Sequence, residues 1–181
     1  MAIAEPDNAI GLLLHAASFA AEKHRHQRRK DAEASPYINH PIAVARVLWE
    51  GGVHDPVTLC AALLHDTVED TGTTAEELRT VFGDEITCVV LEVTDDKSLD
   101  KDRRKQLQIE HAATISDRAK LVKLADKICN LCDVAHAPPA DWPKTRRQEY
   151  FDWAKRVIDA LRGVHPALEA TFDAAYAARP R

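Results

Sequence analysis

The stretch Val57-Thr-Leu-Cys-Ala-Ala-Leu-Leu-His65-Asp66 decides how this chain is read. Its first eight residues are apolar nearly all round, and a helix of that composition belongs in a core. Ending it with an imidazole and a carboxylate is costly unless something compensates for the lost water. A divalent metal does so, because it turns both groups into ligands. Two further residues fit. His40 lies upstream in Ser35-Pro-Tyr-Ile-Asn-His-Pro41, and Asp126 lies downstream in Lys120-Leu-Val-Lys-Leu-Ala-Asp-Lys-Ile-Cys-Asn130. The pattern is H…HD…D: two nitrogen and two carboxylate ligands, with positions open to water and substrate.

The run continues as Thr67-Val-Glu-Asp70. If the helix goes on, Glu69 and Asp70 lie one turn beyond His65 and Asp66 on the same face. A second carboxylate pair so placed suits general acid–base work on a water molecule beside the metal. Asp126 and Asn130 are four apart, at the edge of the apolar face made by Leu121, Leu124, Ala125, Ile128 and Leu131. That position points into a cleft. A salt bridge from Asp126 to Lys123 or Lys127 is the plainer explanation of Asp126 alone, but not of the whole set. Two imidazoles with carboxylates and no thiolate suit Mn²⁺, Fe²⁺ or Zn²⁺ over copper, and Mn²⁺ is favoured for its flexible mixed coordination.

Working outward, helical periodicity recurs and strand signals are weak. An amphipathic segment spans 8–27, and a polar loop covers 28–37. Asn39 is placed to cap a helix stopped by Gly51-Gly52. Asp55 followed by Pro56 opens the next helix. Thr74 and Glu77 form a candidate capping box. Residues 85–94 read as helix, with Val89-Val90-Leu91 leaving a strand open. Residues 99–114 are charged and amphipathic, Ser116 caps a long helix to about 135, and two more helices follow the prolines at 138, 139 and 143. The expectation is one all-α helical bundle over 1–181, with its core at about 8–175.

Composition narrows the function classes. The chain has 181 residues, 45% hydrophobic and 29% charged, with a formal net charge of -5. That balance disfavours nucleic acid as a partner. No apolar stretch reaches the ~18 residues of a membrane span. The first eight residues lack the basic region of a signal peptide, and four cysteines then read as reduced thiols in a cytoplasm. Cys129 and Cys132 form a lone CxxC, better read as packing thiols than as zinc ligands. Basic residues gather in Lys23-His-Arg-His-Gln-Arg-Arg-Lys30, Lys101-Asp-Arg-Arg-Lys105 and Lys144-Thr-Arg-Arg147. In an acidic protein such clusters suit a small polyanion, such as a nucleotide carrying several phosphates. The second cluster, with Arg103 and Arg104, reads as a solvated helix face.

These residues resemble the HD-domain metal-dependent phosphohydrolases, whose motif is H…HD…D. The fuller strings His26-Gln-Arg-Arg-Lys30, Pro36-Tyr-Ile-Asn-His-Pro41, Ala61-Ala-Leu-Leu-His-Asp-Thr-Val-Glu-Asp-Thr71 and Lys123-Leu-Ala-Asp-Lys-Ile-Cys-Asn130 resemble the hydrolase domain of RelA/SpoT-type alarmone enzymes. Val93-Thr-Asp-Asp-Lys-Ser-Leu99 and Arg147-Gln-Glu-Tyr-Phe-Asp-Trp153 resemble the small stand-alone hydrolases in particular, including the animal SpoT-like branch. The resemblance implies an HD-domain bundle and manganese-dependent removal of pyrophosphate from the 3′ position of guanosine tetra- or pentaphosphate, with no synthetase activity. It implies that His40, His65, Asp66 and Asp126 bind the metal, and that Glu69 and Asp70 handle the water. Arg29, Lys30 and Asn130 would contact the nucleotide, with Lys101 and Tyr150 lining its pocket. The loop around Tyr37 and the helix carrying Tyr150 and Trp153 offer aromatic or apolar surface for a purine base. An HD phosphatase acting on NADPH or a deoxynucleotide would use the same motif residues, so the alternative stays open here. So does the oligomeric state.

Overall fold

In the computed structural model, residues 9–181 are described. They form α1 (Ala9–Lys23), α2 (Asn39–Glu50), α3 (Pro56–Leu64), α4 (Thr67–Asp70), α5 (Ala75–Val93), α6 (Lys101–His111), α7 (Asp117–His136), α8 (Lys144–Asp159) and α9 (Pro166–Tyr176). No strand occurs among the described residues beyond an isolated antiparallel bridge between Arg28 and Pro36. The fold is the expected all-α, single-domain bundle. The first eight residues, read above for a signal sequence, lie outside the described part.

Helix α3 is the buried axis. Every residue from Thr58 to Leu64 is buried, and α1, α2, α5 and α7 all pack on it. Its start follows the local rules. The Asp55 side chain accepts a bond from Thr58 N at 3.1 Å, and Pro56 takes the first turn, where a missing N–H costs nothing. Helix α7 lies against α3 and also against α2, α5, α8 and α9. Its buried face includes Leu124, Ala125, Ile128 and Leu131, as the periodicity predicts, but also Val122, Lys123 and Lys127, while Leu121 is only half-buried.

At the end of α3 the chain bends without straightening. His65 and Asp66 keep right-handed backbone angles (φ -57, ψ -32 and φ -95, ψ -4). The carbonyl of Leu64, freed by the bend, accepts the buried Thr67 hydroxyl at 2.7 Å. Asp70 N donates to Asp66 O at 2.8 Å. The short α4 therefore carries Glu69 and Asp70 one turn past His65 and Asp66, as the continuous-helix expectation requires.

Elsewhere two local readings need adjustment, and a third, left open, is decided. Asn39 is the first helical residue of α2, and the cap position falls on Ile38, which offers no side-chain acceptor. The capping box is half made: Thr74 Oγ1 accepts from Glu77 N at 3.1 Å, but Glu77 pairs with Lys23 Nζ at 2.7 Å rather than turning back. The 85–94 segment is helix, joined to 75–82 across Gly83, whose φ of 81 suits glycine and bends α5. The polar loop at 28–37 folds back on itself through Arg29 N to Ser35 O at 2.8 Å and Tyr37 N to Gln27 O at 3.2 Å. That fold delivers Arg29 and Tyr37 to the mouth of the bundle. No helix among the described residues is long and apolar enough to cross a membrane.

Candidate functional site

Three elements bring the motif together. His40 enters from the first turn of α2, His65 and Asp66 from the bend after α3, and Asp126 from the middle of α7. One ligand atom each of His40, His65 and Asp126 lies within 4.8 Å of the other two. Asp66 sits at the edge of this set, its Oδ2 3.1 Å from His65 Nε2 and 3.9 Å from His40 Nε2. His40 Nε2 and Asp126 Oδ1 are 3.1 Å apart.

His65 supplies the test of whether a metal fits. Its Nδ1 lies 2.7 Å from the carbonyl of Ala62, an acceptor only, so Nδ1 carries the hydrogen. In the neutral ring Nε2 then presents a lone pair, buried and without a hydrogen-bond partner, toward carboxylate oxygens at 3.1 and 3.7 Å. Lone pairs so arranged repel unless a positive charge lies between them. Burial disfavours the imidazolium, yet Asp66 and Asp126 together raise His65 well above the usual histidine range. Burial also opposes the Asp66 carboxylate, but His65 and His40 hold it far below the usual carboxylate range. The donor set therefore demands a cation, and a divalent metal suits two imidazoles with two carboxylates.

Around the ligands lie groups that fix them. Asp126 Oδ1 accepts from Asn130 Nδ2 at 2.6 Å and Oδ2 accepts from Lys127 Nζ at 3.0 Å. The salt bridge is present and leaves room for the ligand reading: Lys127 takes one oxygen, and the other faces the imidazoles. Lys127 Nζ also lies 4.6 Å from the centre of the Trp153 ring, which explains how an ammonium is tolerated there. Burial pushes Lys123 down to about 8, with the Lys127 ammonium adding to the effect.

The carboxylate pair is separately held. Glu69 Oε2 accepts from Asp95 N at 3.0 Å, and Arg104 lies 3.9 Å from Oε1. Burial raises Glu69 above its usual value, with the Asp95 carboxylate adding to it. Asp70 pairs with Lys97 through Oδ1 and receives the Tyr37 hydroxyl at 3.0 Å on Oδ2. Arg104 corrects an expectation. Of the two arginines, Arg103 behaves as a solvated face, pairing with Glu110 at 3.2 Å, whereas Arg104 turns inward with a buried Nε.

The ligands sit in a polar hollow of about 200 Å³ that shares Arg29, Tyr37, His40, Asp70 and Asn130 with a larger cavity of about 600 Å³. The larger cavity has a basic rim of Arg28, Arg29 and Lys30 and an aromatic wall of Trp142 and Tyr150. Arg29 donates to Asp133 at 2.6 Å and to Asn130 at 3.1 Å. Burial pushes the Tyr150 phenol up to about 12. All of the residues singled out in the sequence line these two spaces except Lys101, which is exposed at the start of α6. Trp153, expected to offer surface to a base, instead backs Lys127 and donates to Lys105 O at 3.1 Å. Trp142 takes that place. Sequence reasoning missed Lys97 and Arg104 as partners of the acidic groups, because charged residues on helices and loops carry no mark of which way they turn.

With this geometry in hand, the comparisons with known proteins are informative. A family model described as HD domain matches residues 16–154. The chain is 57% identical over 163 residues to guanosine-3′,5′-bis(diphosphate) 3′-pyrophosphohydrolase MESH1 of Xenopus tropicalis, covering 90% of this chain and 91% of that one. It is 57% identical over 158 residues to MESH1 of Homo sapiens, covering 87% and 88% respectively. A solved structure described as a metazoan ortholog of SpoT that hydrolyzes ppGpp superposes with a TM-score of 0.90 at 47% identity, covering 97% of this chain and 98% of that one. Fold, motif and relatives agree, and the chain belongs to the HD domain family, among the small stand-alone hydrolases of the RelA/SpoT type.

Proposed function

We propose that this protein hydrolyses ppGpp, and pppGpp, at the 3′ position, releasing pyrophosphate and leaving GDP or GTP. One observation carries the reading: the hollow at the candidate ligand cluster and the basic, aromatic-walled cavity adjoin, sharing Arg29, Tyr37, His40, Asp70 and Asn130 in their walls. Such a space suits a nucleotide with phosphates at both ends. One end reaches the acidic ligand cluster with its cation, and the other meets Arg28, Arg29 and Lys30. The purine faces Trp142 and Tyr150. The relatives named above carry this activity in their names.

His40, His65, Asp66 and Asp126 would hold the metal, for which we favour Mn²⁺. Bound there, a divalent cation polarises a phosphoryl oxygen and makes nearby water more acidic. The chain's own residues do the rest. Water attacks the phosphorus attached to the ribose 3′ oxygen, a Glu69 or Asp70 carboxylate accepts its proton, and the bond from phosphorus to that 3′ oxygen breaks. The 3′ oxygen leaves as a hydroxyl, taking up the proton that the carboxylate received, so that the carboxylate is regenerated. Burial raises Glu69, which suits a group that must take a proton near neutral pH. The free cysteines agree with a cytoplasmic protein.

The test is a side-by-side assay of purified, Mn²⁺-loaded protein on ppGpp, NADPH and deoxynucleoside monophosphates, with pyrophosphate and phosphate read separately. A monophosphate can use only one end of the cleft, so kcat/KM for ppGpp should exceed it by orders of magnitude. The products should be GDP and pyrophosphate. Efficient monophosphate turnover with ppGpp untouched would overturn the assignment, leaving only the class of HD phosphohydrolase.

A second expectation concerns the basic rim. Arg29→Ala should raise KM for ppGpp roughly 10-fold, the low end of what one charged hydrogen bond is worth. The low end applies because Arg29 must first give up Asp133 and Asn130. Lys30→Ala should act in the same direction, and neither change should alter bound metal. Arg103→Ala is the control, since its partner Glu110 lies away from the cleft. Equal KM effects at Arg29 and Arg103 would show that general attraction, not a pocket, governs binding.

A further inference from the structure

We propose that Tyr37 is a positioning residue that holds Asp70, the carboxylate assigned to the attacking water, at a fixed separation from Asp66, the carboxylate assigned to the metal. The inference rests on the function proposed above.

The hydroxyl of Tyr37 lies 2.7 Å from Asp66 Oδ2 and 3.0 Å from Asp70 Oδ2. These carboxylates are four residues apart on consecutive turns and repel each other. Helix α4 has four residues, too few to be rigid on its own. Something outside it must set their spacing. Tyr37 comes from a different element, the folded loop ahead of α2, and has little freedom of its own. Its ring stacks on the buried His24 with centroids 4.7 Å apart, and the Arg29 guanidinium lies 5.6 Å from its centre. Its backbone is tied at both ends, by Tyr37 N to Gln27 O at 3.2 Å and His40 N to Tyr37 O at 3.0 Å.

The same loop also grips the main chain of Asp70. Gln27 Nε2 donates to the Asp70 carbonyl, while Gln27 Oε1 is occupied by His24 Nδ1 at 2.6 Å. Asp70 is thus fixed through its backbone by Gln27 and through its side chain by Tyr37. The last contact, His40 N to Tyr37 O, places the tyrosine one turn ahead of a metal-ligating imidazole. One loop therefore sets both the ligand His40 and the carboxylate Asp70. A phenol has a single proton, and here it sits between two anions. Its role is geometric, not that of an acid on the substrate.

Tyr37→Phe tests this. It keeps the ring, with its contacts to His24 and Arg29, and deletes only the hydroxyl. With rates normalised to bound metal, kcat for ppGpp should fall roughly 10-fold or more, while KM and metal content stay within about twofold. The deciding comparison is with Asp70→Asn, read in single turnover with enzyme in excess. If Tyr37 acts through Asp70, Tyr37→Phe/Asp70→Asn should be no slower than Asp70→Asn alone. Losses that multiply, a raised KM with unchanged kcat, loss of metal, or no change in kcat would each overturn the proposal. Failure of the wild-type protein on ppGpp would instead sink the functional reading, so the two failures are distinct.

Discussion

His65→Ala should yield a protein without bound divalent metal and without detectable turnover. His65 is the proposed ligand whose geometry leaves least choice. Its Nδ1 hydrogen is committed to Ala62 O, so Nε2 faces the cluster, buried and without a hydrogen-bond partner. Removing the ring takes away one candidate nitrogen ligand and leaves the half-buried Asp66 and Asp126 with less compensation. Metal analysis after dialysis reads the first effect and product release the second. A thermal melt adds an independent measure. Ligand binding stabilises a fold by about 2.7 kcal/mol at 100 times Kd, so Mn²⁺ should raise the Tm of the wild-type protein and leave that of His65→Ala unmoved. The pH dependence has a defined sign. Metal must displace the proton from His65, and the carboxylates raise that proton's affinity well above the ordinary value of 6.5. Apparent metal affinity should therefore keep rising with pH beyond that value and fall as the solution is acidified. Full metal content and turnover in His65→Ala would sink the assigned centre.

Glu69→Gln and Asp70→Asn should separate ligation from catalysis. Each keeps its shape and removes its basicity. The amide oxygen introduced by Glu69→Gln can still accept the Asp95 N–H, and the one introduced by Asp70→Asn can still accept the Tyr37 hydroxyl, so the local structure survives. Each change should lower kcat by about 10²-fold or more, the usual scale for losing a general acid–base group, with most metal retained. Glu69 carries the clearer expectation, since burial already favours its protonated form. Metal loss comparable with that of His65→Ala would show that these residues ligate or support the fold instead.

Legibility in the sequence followed physical range. Whatever depends on neighbours a turn or two away was readable. The apolar run 57–64 announces a buried helix, Asp55-Pro56 its start, and Ser116 the start of α7, where its Oγ accepts from Ala119 N at 3.3 Å. That His40, His65, Asp66 and Asp126 come together was legible because imidazoles and carboxylates beside apolar faces demand compensation, and because the strings around them are specific. The spacing of Glu69 and Asp70 from His65 and Asp66 was readable too, since four residues make one turn.

Only the tertiary structure decided which charges meet across elements. Arg103 and Arg104 are adjacent in sequence, yet one faces solvent and the other turns toward Glu69, because α6 packs against α8 and beside the loop after α5. Lys101 fell outside the cleft for the same reason, as the helix phase at its start is set by that packing. Tyr37 read as surface for a base and proved to be the tie between Asp66 and Asp70. Sequence constrains dihedrals and faces, which are local. The direction of a long charged or aromatic side chain is settled by long-range packing and by the nearest opposite charge, and those contacts exist only once the bundle has closed.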